Sequence, residues 1–190
     1  MNSVVLNSQN PSVNLQISVV CSDNQSIDSV TISNATQILI TGNTYLFQKT
    51  YNLQDYNIGI FSDTFTAVVT DPAGNQVSDS ITINIDKQDE IPPVISSFQS
   101  SITNVVLTQN DDTSTISFTI TATDNFLIDT ISIPGANFIS QSGNDFLFQK
   151  TYNYLTTTEA ESVDPITVTV RDTYNNITDA YFILRMICMY

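Results

Sequence analysis

Apolar and polar residues alternate with a period of two over most of the chain. The pattern is clearest at Leu15, Ile17, Val19 and Cys21, and it returns at Ile116, Phe118, Ile120 and Ala122. Alternation of this kind puts every second side chain on one face of an extended strand, so these positions are expected to face a core. Phe65, Ala67 and Val69, with Ile166, Val168 and Val170, predict a second such strand. Val30 and Ile32, with Ile131 and Ile133, predict a third. Turn-forming groups separate the strands: Asp23-Asn24, Asn34, Gly42-Asn43 and Asp71-Pro72-Ala73-Gly74-Asn75. No segment has a helical period.

The pairing of these positions reflects a duplication. Leu46-Phe47-Gln48-Lys49-Thr50-Tyr51-Asn52 recurs intact as Leu147-Phe148-Gln149-Lys150-Thr151-Tyr152-Asn153, a shift of 147 − 46 = 101 positions. The same shift superposes Val4-Val5-Leu6 on Val105-Val106-Leu107, Asp23-Asn24 on Asp124-Asn125, and Gly42-Asn43 on Gly143-Asn144. One domain is written twice, and 190 residues suffice for two sandwich cores. Strand-rich units with closely spaced turns predict an all-β protein of two tandem immunoglobulin-like Greek-key β-sandwiches in an elongated arrangement. The expected boundaries are residues 1–87 and 94–190, joined by an acidic linker at 88–93 in which Pro92 and Pro93 keep the backbone extended. Tyr45, Phe47 and Tyr51 are expected to anchor one strand. Lys49 interrupts its alternation, either as a bulge or as a stem lying along apolar surface. Asp111-Asp112 reads as a hairpin tip, and Thr156 to Asp164 as an exposed connection. The loop Asp172 to Asn176 can be aligned with Asp71 to Asn75 in two registers.

Lys and Arg number 5 against 19 Asp and Glu, a formal net charge of −14. Nucleic acid and anionic membrane surfaces would be repelled, so neither is an expected partner. Charged residues are nevertheless only 13% of the chain, and Asn, Ser, Thr and Gln must supply most of the polar surface. That balance suits β-proteins of cell or particle surfaces. Cys21 and Cys188 fall at unrelated points of the repeat, opposite Ala122 and Lys87, which argues against a disulfide framework. Cys21 is expected to be a small buried packing residue. A missing intradomain disulfide favours folding in a reducing compartment. Met1 to Leu6 lacks the basic and apolar regions of an export signal, and no apolar run approaches the ~20 residues of a spanning helix. Tyr181 to Tyr190, the most apolar stretch, carries Arg185 and reads as a last strand.

Three features together resemble tandem bacterial immunoglobulin-like domains: Asp-x-x-Gly-Asn at Asp71 to Asn75, Asp-Asn-x-x-Ile-Asp at Asp23 to Asp28 and Asp124 to Asp129, and the acidic Pro-Pro linker. Cadherin-like and fibronectin-type modules of bacterial and phage surface proteins share parts of this pattern. The resemblance covers nearly the whole chain and implies a stalk, an adhesin or a capsid or tail decoration. The second copy departs from the loop motif, with Asn175 where Gly74 stands, but Asn also tolerates a positive φ.

Histidine is absent, which removes the commonest general base and every Ser-His-Asp or Cys-His arrangement, so enzymatic activity is not expected. Duplicated carboxylates offer one environment twice, whereas a catalytic pair needs two different ones. Calcium is the one cofactor with a physical case. The loop between the second and third strands and the last hairpin loop should share one end of the sandwich. Asp86, Asp89, Glu90, Asp124 and Asp172 could then supply hard oxygen ligands where the linker enters the second domain. The competing reading makes them ordinary turn residues that bond their own backbones. Tyr51, Tyr56, Tyr152, Tyr154 and Tyr174 are candidate stacking platforms for a host glycan, although most should be core or rim aromatics. The Asn-x-Ser/Thr matches at Asn24, Asn34 and Asn176 are expected by chance in so Asn-rich a chain.

The expected function is a non-enzymatic structural or attachment protein on a virion surface, a phage capsid or tail decoration or fibre component. The alternatives are a fragment of a bacterial or archaeal cell-surface adhesin or S-layer protein, and a glycan-binding module for host attachment. Its partner would be a protein of a larger assembly, docked through free edge strands or through the apolar last strand Phe182 to Met189.

Overall fold

The computed structural model describes residues 3–108, 113–154 and 161–189. The chain divides into two compact units, Met1–Glu90 and Ile91–Tyr190. Asp111-Asp112, read from the sequence as a hairpin tip, lies outside the described residues, as do 156–160.

The first unit contains β1 (Ser3–Leu6), β2 (Ser12–Val20), β3 (Ser29–Ile32), β4 (Thr36–Thr41), β5 (Thr44–Asn52), β6 (Gly59–Thr70) and β7 (Gln76–Lys87), with a 3₁₀ turn at Leu53–Asp55. One sheet has the order β1-β7-β6-β3 and the other β2-β5-β4. Pairing is antiparallel except that β1 runs parallel to β7. The second unit contains β8 (Val94–Ser100), β9 (Asn104–Thr108), β10 (Thr113–Thr123), β11 (Ile128–Ser132), β12 (Asn137–Ser142), β13 (Asp145–Asn153), β14 (Glu161–Asp172) and β15 (Ile177–Met189). Its sheets are β9-β15-β14-β11 and β8-β10-β13-β12, with β9 parallel to β15. In each unit successive strands cross from sheet to sheet before returning in a hairpin, and each is an immunoglobulin-like β-sandwich.

The alternating apolar positions form the two cores. Leu6, Phe47, Tyr51, Phe65, Ile83 and Ile85 are sealed in the first unit; Leu107, Ile116, Phe118, Val168, Val170 and Leu184 are sealed in the second. Each such side chain contributes roughly 1.5–3 kcal/mol by leaving water. The outward faces are held by uncharged pairs: Thr64 with Thr82, Thr66 with Ser80 and Thr115 with Thr151, each at 2.9 Å across neighbouring strands.

The structure resolves the ambiguous hairpin. Arg171 opposes Ile177 as Thr70 opposes Gln76, which keeps the 101-residue shift through the turn. The Asp71 N–H donates to the Asn75 carbonyl at 3.0 Å, and the Asp172 N–H to the Asn176 carbonyl at 3.1 Å. Gly74 has φ 87° and Asn175 φ 70°; reciprocally, Asn34 has φ 63° and Gly135 φ 74°. The two residue types that best accept a positive φ thus exchange places between the copies without altering either turn.

Four expectations need correction. Glu161 to Asp164 belong to β14 and are not part of an exposed connection, because each finds a ladder partner between Ile187 and Leu184 of β15. Lys49 makes no bulge, since β2 and β5 stay in register through the Leu15–Lys49 pair; the irregularity lies in β4, between Gln37 and Leu39. Cys21 is not sealed, and Leu15 and Val19 are only half-buried, although their counterparts Ala122, Ile116 and Ile120 are fully enclosed. Docking by strand pairing through Phe182 to Met189 is closed off, because β15 lies between β14 and β9. Its Leu184 and Cys188 point into the core, while Tyr181, Ile183 and Met189 are exposed.

Candidate functional site

The polar residues that both copies place inside the sandwich form a clasp between sheets. Tyr51 on β5 and Asp63 on β6 lie in opposite sheets, and the Tyr51 hydroxyl donates to Asp63 Oδ2 at 3.0 Å. Tyr152 on β13 donates to Asp164 Oδ2 on β14 at 2.7 Å in the same way. The second copy adds a cation: Lys150 Nζ is 2.7 Å from the same oxygen and 5.0 Å from the Tyr152 ring centroid. Burial, reinforced by the neighbouring carboxylate, pushes both tyrosine hydroxyls well above their ordinary range. Burial works against ionisation of Asp164, but hydrogen bonds from Lys150 and Tyr152 hold its carboxyl below the usual range. A neutral tyrosine bonded to a charged carboxylate between two sheets is a structural tie. Tyr51 and Tyr152 therefore leave the set of glycan platforms. Tyr56 is half-buried against Tyr51 and Phe61, with ring centroids at 6.1 and 5.6 Å.

The loop carboxylates differ between the copies. In the first unit Asp23 Oδ1 accepts from the N–H groups of Gln25 and Ser26 at 2.8 and 3.2 Å, and Asp23 is exposed. Asp71 accepts from the side-chain amide of Asn75 at 2.7 Å and from its N–H at 2.8 Å, which holds its carboxyl below the ordinary range. In the second unit Asp172 is buried. Its Oδ1 accepts from the N–H groups of Tyr174 and Asn176 at 2.8 Å each, and its Oδ2 accepts from the Asn176 amide at 2.7 Å. Asp124 Oδ1 accepts from the Phe126 N–H at 2.9 Å, while its Oδ2 is buried without a hydrogen-bond partner. Carboxylate oxygens of Asp124 and Asp172 lie within 4.8 Å of each other. The chain enters the second unit at this same end, where Val94 opposes Thr123 and the Thr178 hydroxyl donates to the Pro93 carbonyl at 2.5 Å.

Of the remaining sequence-named carboxylates, Asp86 and Glu90 serve the first unit. Asp86 lies within β7, between Val5 and Ile60. Glu90 accepts from the Ser8 N–H at 2.8 Å and the Ser8 hydroxyl at 2.7 Å. Asp89 follows Gln88, whose N–H donates to the Leu6 carbonyl at 3.0 Å. The structure thus places Asp124 and Asp172 together within the second unit, and ties Asp86 and Glu90 into the first.

Beside this pair, a cleft of about 480 Å³ runs between the β10–β11 loop and the β12–β13 hairpin, with Asp124, Phe126, Gln141 and Asn144 in its wall. Phe126 packs against Tyr174 with ring centroids 5.9 Å apart, and both rings are partly exposed. Phe126 went unnoticed in the sequence because nothing in its periodicity separates a loop aromatic from a core one.

No family model matches the chain, and no curated protein matches it in sequence. Among solved structures, it is similar to the sialic acid binding region of a Streptococcus sanguinis SK1 adhesin (9% identity, all of this chain and 76% of that one, TM-score 0.34). It is also similar to the N-terminal Ig1-2 module of the Drosophila receptor protein tyrosine phosphatase DLAR (13% identity, all of this chain and 94% of that one, TM-score 0.34). The protocadherin γB4 extracellular domain is a third (13% identity, all of this chain and 31% of that one, TM-score 0.36).

Proposed function

We propose that this chain is a non-enzymatic attachment module: two immunoglobulin-like domains displayed on the surface of a virion, as a capsid or tail decoration or a fibre component. One observation carries the non-enzymatic reading. The inward-facing polar residues common to both copies, Tyr51 with Asp63 and Tyr152 with Asp164, are spent on tying sheets together, and none is poised over a cleft as a nucleophile or base. Display on a virion, rather than on a bacterial or archaeal cell as part of an adhesin or S-layer, is favoured by cysteines that lie in different units, with no disulfide within either. Immunogold labelling of purified particles and of intact cells tests it: label on particles is expected, and label confined to cell envelopes would favour the adhesin.

Two ligands fit the loop end of the second unit. Calcium is favoured by the unpartnered, buried Oδ2 of Asp124 beside Asp172, whose Oδ2 keeps a free lone pair after accepting from Asn176. Both are hard oxygen donors, and backbone carbonyls and water would complete the shell. A melting curve with millimolar calcium and then with excess chelator checks this; an unchanged upper transition rejects it. A glycan is favoured by the polar cleft flanked by Phe126. Binding on a glycan array that disappears in Phe126→Ala is the expected result, and uniform silence ends that reading.

A further inference from the structure

The outward face of the sheet that holds the last hairpin is polar in one copy and apolar in the other. In the first unit β6 and β7 present the hydroxyl pairs Thr64–Thr82 and Thr66–Ser80, followed by Ser62 opposite Asn84. The 101-residue shift turns these pairs into Pro165–Ile183, Thr167–Tyr181 and Val163–Arg185 on β14 and β15. Tyr181 is 78% exposed, Val163 64% and Ile183 60%, and Pro165 is exposed beside them. The first unit shows that the fold does not require apolar residues at these positions. Leaving them in water does nothing for the domain alone, and such a cluster on a sheet face marks a contact surface.

The strands at this face say how it is met. β11 flanks β14 only at Thr169–Asp172, so at Pro165 no described strand lies on that side of β14. Proline fits a ladder with its nitrogen turned away from the paired strand, and there it withholds the N–H that an added strand would need. Contact therefore falls to the face.

The charges say what meets it. The chain carries −14, yet the charged residues that β14 and β15 turn outward cancel: Glu161 and Arg185 towards one end, Arg171 and Asp179 towards the other. These are both of the chain's arginines. The midpoint of the β14–β15 ladder is the Ile166–Phe182 pair. Glu161 and Arg171 on β14 lie equally far from it, and so do Arg185 and Asp179 on β15. A second copy laid face to face, about a two-fold axis crossing the strands at this midpoint, sets each acid over a base: Glu161 over the partner subunit's Arg171, and Asp179 over the partner subunit's Arg185. The same operation sets Tyr181 over the partner subunit's Ile183.

We propose that this face binds the same face of a second copy, two second units packing sheet on sheet with Tyr181 and Ile183 at the centre. From Glu161–Ile187 to Arg171–Ile177 the ladder covers roughly 350 Å² in projection, at about 3.4 Å per residue and about 4.8 Å between strands. That is the small end of specific interfaces, so pairing is weak and reversible. Copies displayed side by side would pair through their high local concentration. This biological role rests on the attachment reading; the contact does not.

Sedimentation equilibrium of the full chain at micromolar to millimolar concentration tests it. A monomer–dimer equilibrium is expected. Tyr181→Ser with Ile183→Thr, the residues the first copy carries at Ser80 and Thr82, should abolish it. Arg185→Glu and Asp179→Arg, each at an exposed position, should each weaken it about tenfold or more. An equimolar mixture of these two variants should restore it, because only the mixed pair sets unlike charges opposite each other. A monomer throughout, a dimer that survives the Tyr181 and Ile183 changes, or a mixture no tighter than its components overturns the proposal. The mixing arm alters exposed charges only, so it decides the matter even where the apolar double variant does not fold. A monomer removes the paired face and leaves the display role to the imaging experiment; unlabelled particles remove the virion reading and leave the pairing.

Discussion

The two units share their strand register, their turns and their tyrosine clasp, yet they close their cores to different degrees. Ile120 and Ala122 are sealed where Val19 and Cys21 are half open, because the seven-residue β8 lies beside β10, whereas among the described residues no strand lies beside β2. Repeating a sequence therefore does not repeat a stability. A sandwich with one side unplugged leaves apolar surface in water and backbone groups of an edge strand unpaired, so the first unit should be the weaker of the two.

Core truncation should separate them most strongly. Phe118→Ala in the second unit is expected to cost about 3–5 kcal/mol, because the sealed surroundings cannot collapse into the void. Ile17→Ala at the equivalent position should cost about 2 kcal/mol, a cavity of about 270 Å³ beside Ile17 allowing relaxation. Calorimetry of the full chain checks both: two transitions are expected, with Phe118→Ala lowering only the upper one. A single transition lowered equally by both changes would mean that the units do not differ as described. Next, Phe98→Ala should make the second unit resemble the first. Its half-buried ring predicts a loss of about 2 kcal/mol, with faster amide exchange at Thr119 to Thr123 as the diagnostic readout.

The clasp offers a subtler contrast. Asp164→Ala strips a partner from both Tyr152 and Lys150 and should cost about 1–3 kcal/mol; Asp63→Ala leaves only Tyr51 unpaired and should cost about 1 kcal/mol. The pH dependence has a definite sign. Asp164 is held below its unfolded value of about 3.9, so its contribution is complete above that pH and is lost as pH falls through the depressed folded value. Tyr51 and Tyr152 are raised above an unfolded value of about 10, so their contribution is present below it and declines as pH rises further. Acid and alkaline melting series on Tyr152→Phe should flatten the alkaline slope of the upper transition. The smallest effect belongs to the turns. Gly74→Asn should change stability by less than about 1 kcal/mol, since Asn175 already holds that conformation. Gly74→Val should cost about 1–2 kcal/mol through its positive φ alone, because no atom lies within 4 Å of the added Cβ.

The alternating core strands and the two-unit organisation were legible in the sequence, because period-two alternation and an intact seven-residue repeat survive without three-dimensional information; the turn at Asn175 was legible as a turn, but its register was not. The clasp was hidden. Tyr51 and Asp63 are 12 residues apart on strands of opposite sheets, so neither spacing nor alternation links them. Glu90, a candidate metal ligand by its place beside the linker prolines, accepts from Ser8, a contact 82 residues away that no spacing signals.

The outward hydroxyl pairs have a consequence of their own. Thr64 with Thr82, Thr66 with Ser80 and Thr115 with Thr151 bring together neutral groups, so dissolved ions have nothing there to weaken. What ions do shield is the mutual repulsion of an excess of carboxylates. Brine should therefore leave these surfaces intact, or tighten the fold slightly, where a protein laced with surface ion pairs would loosen.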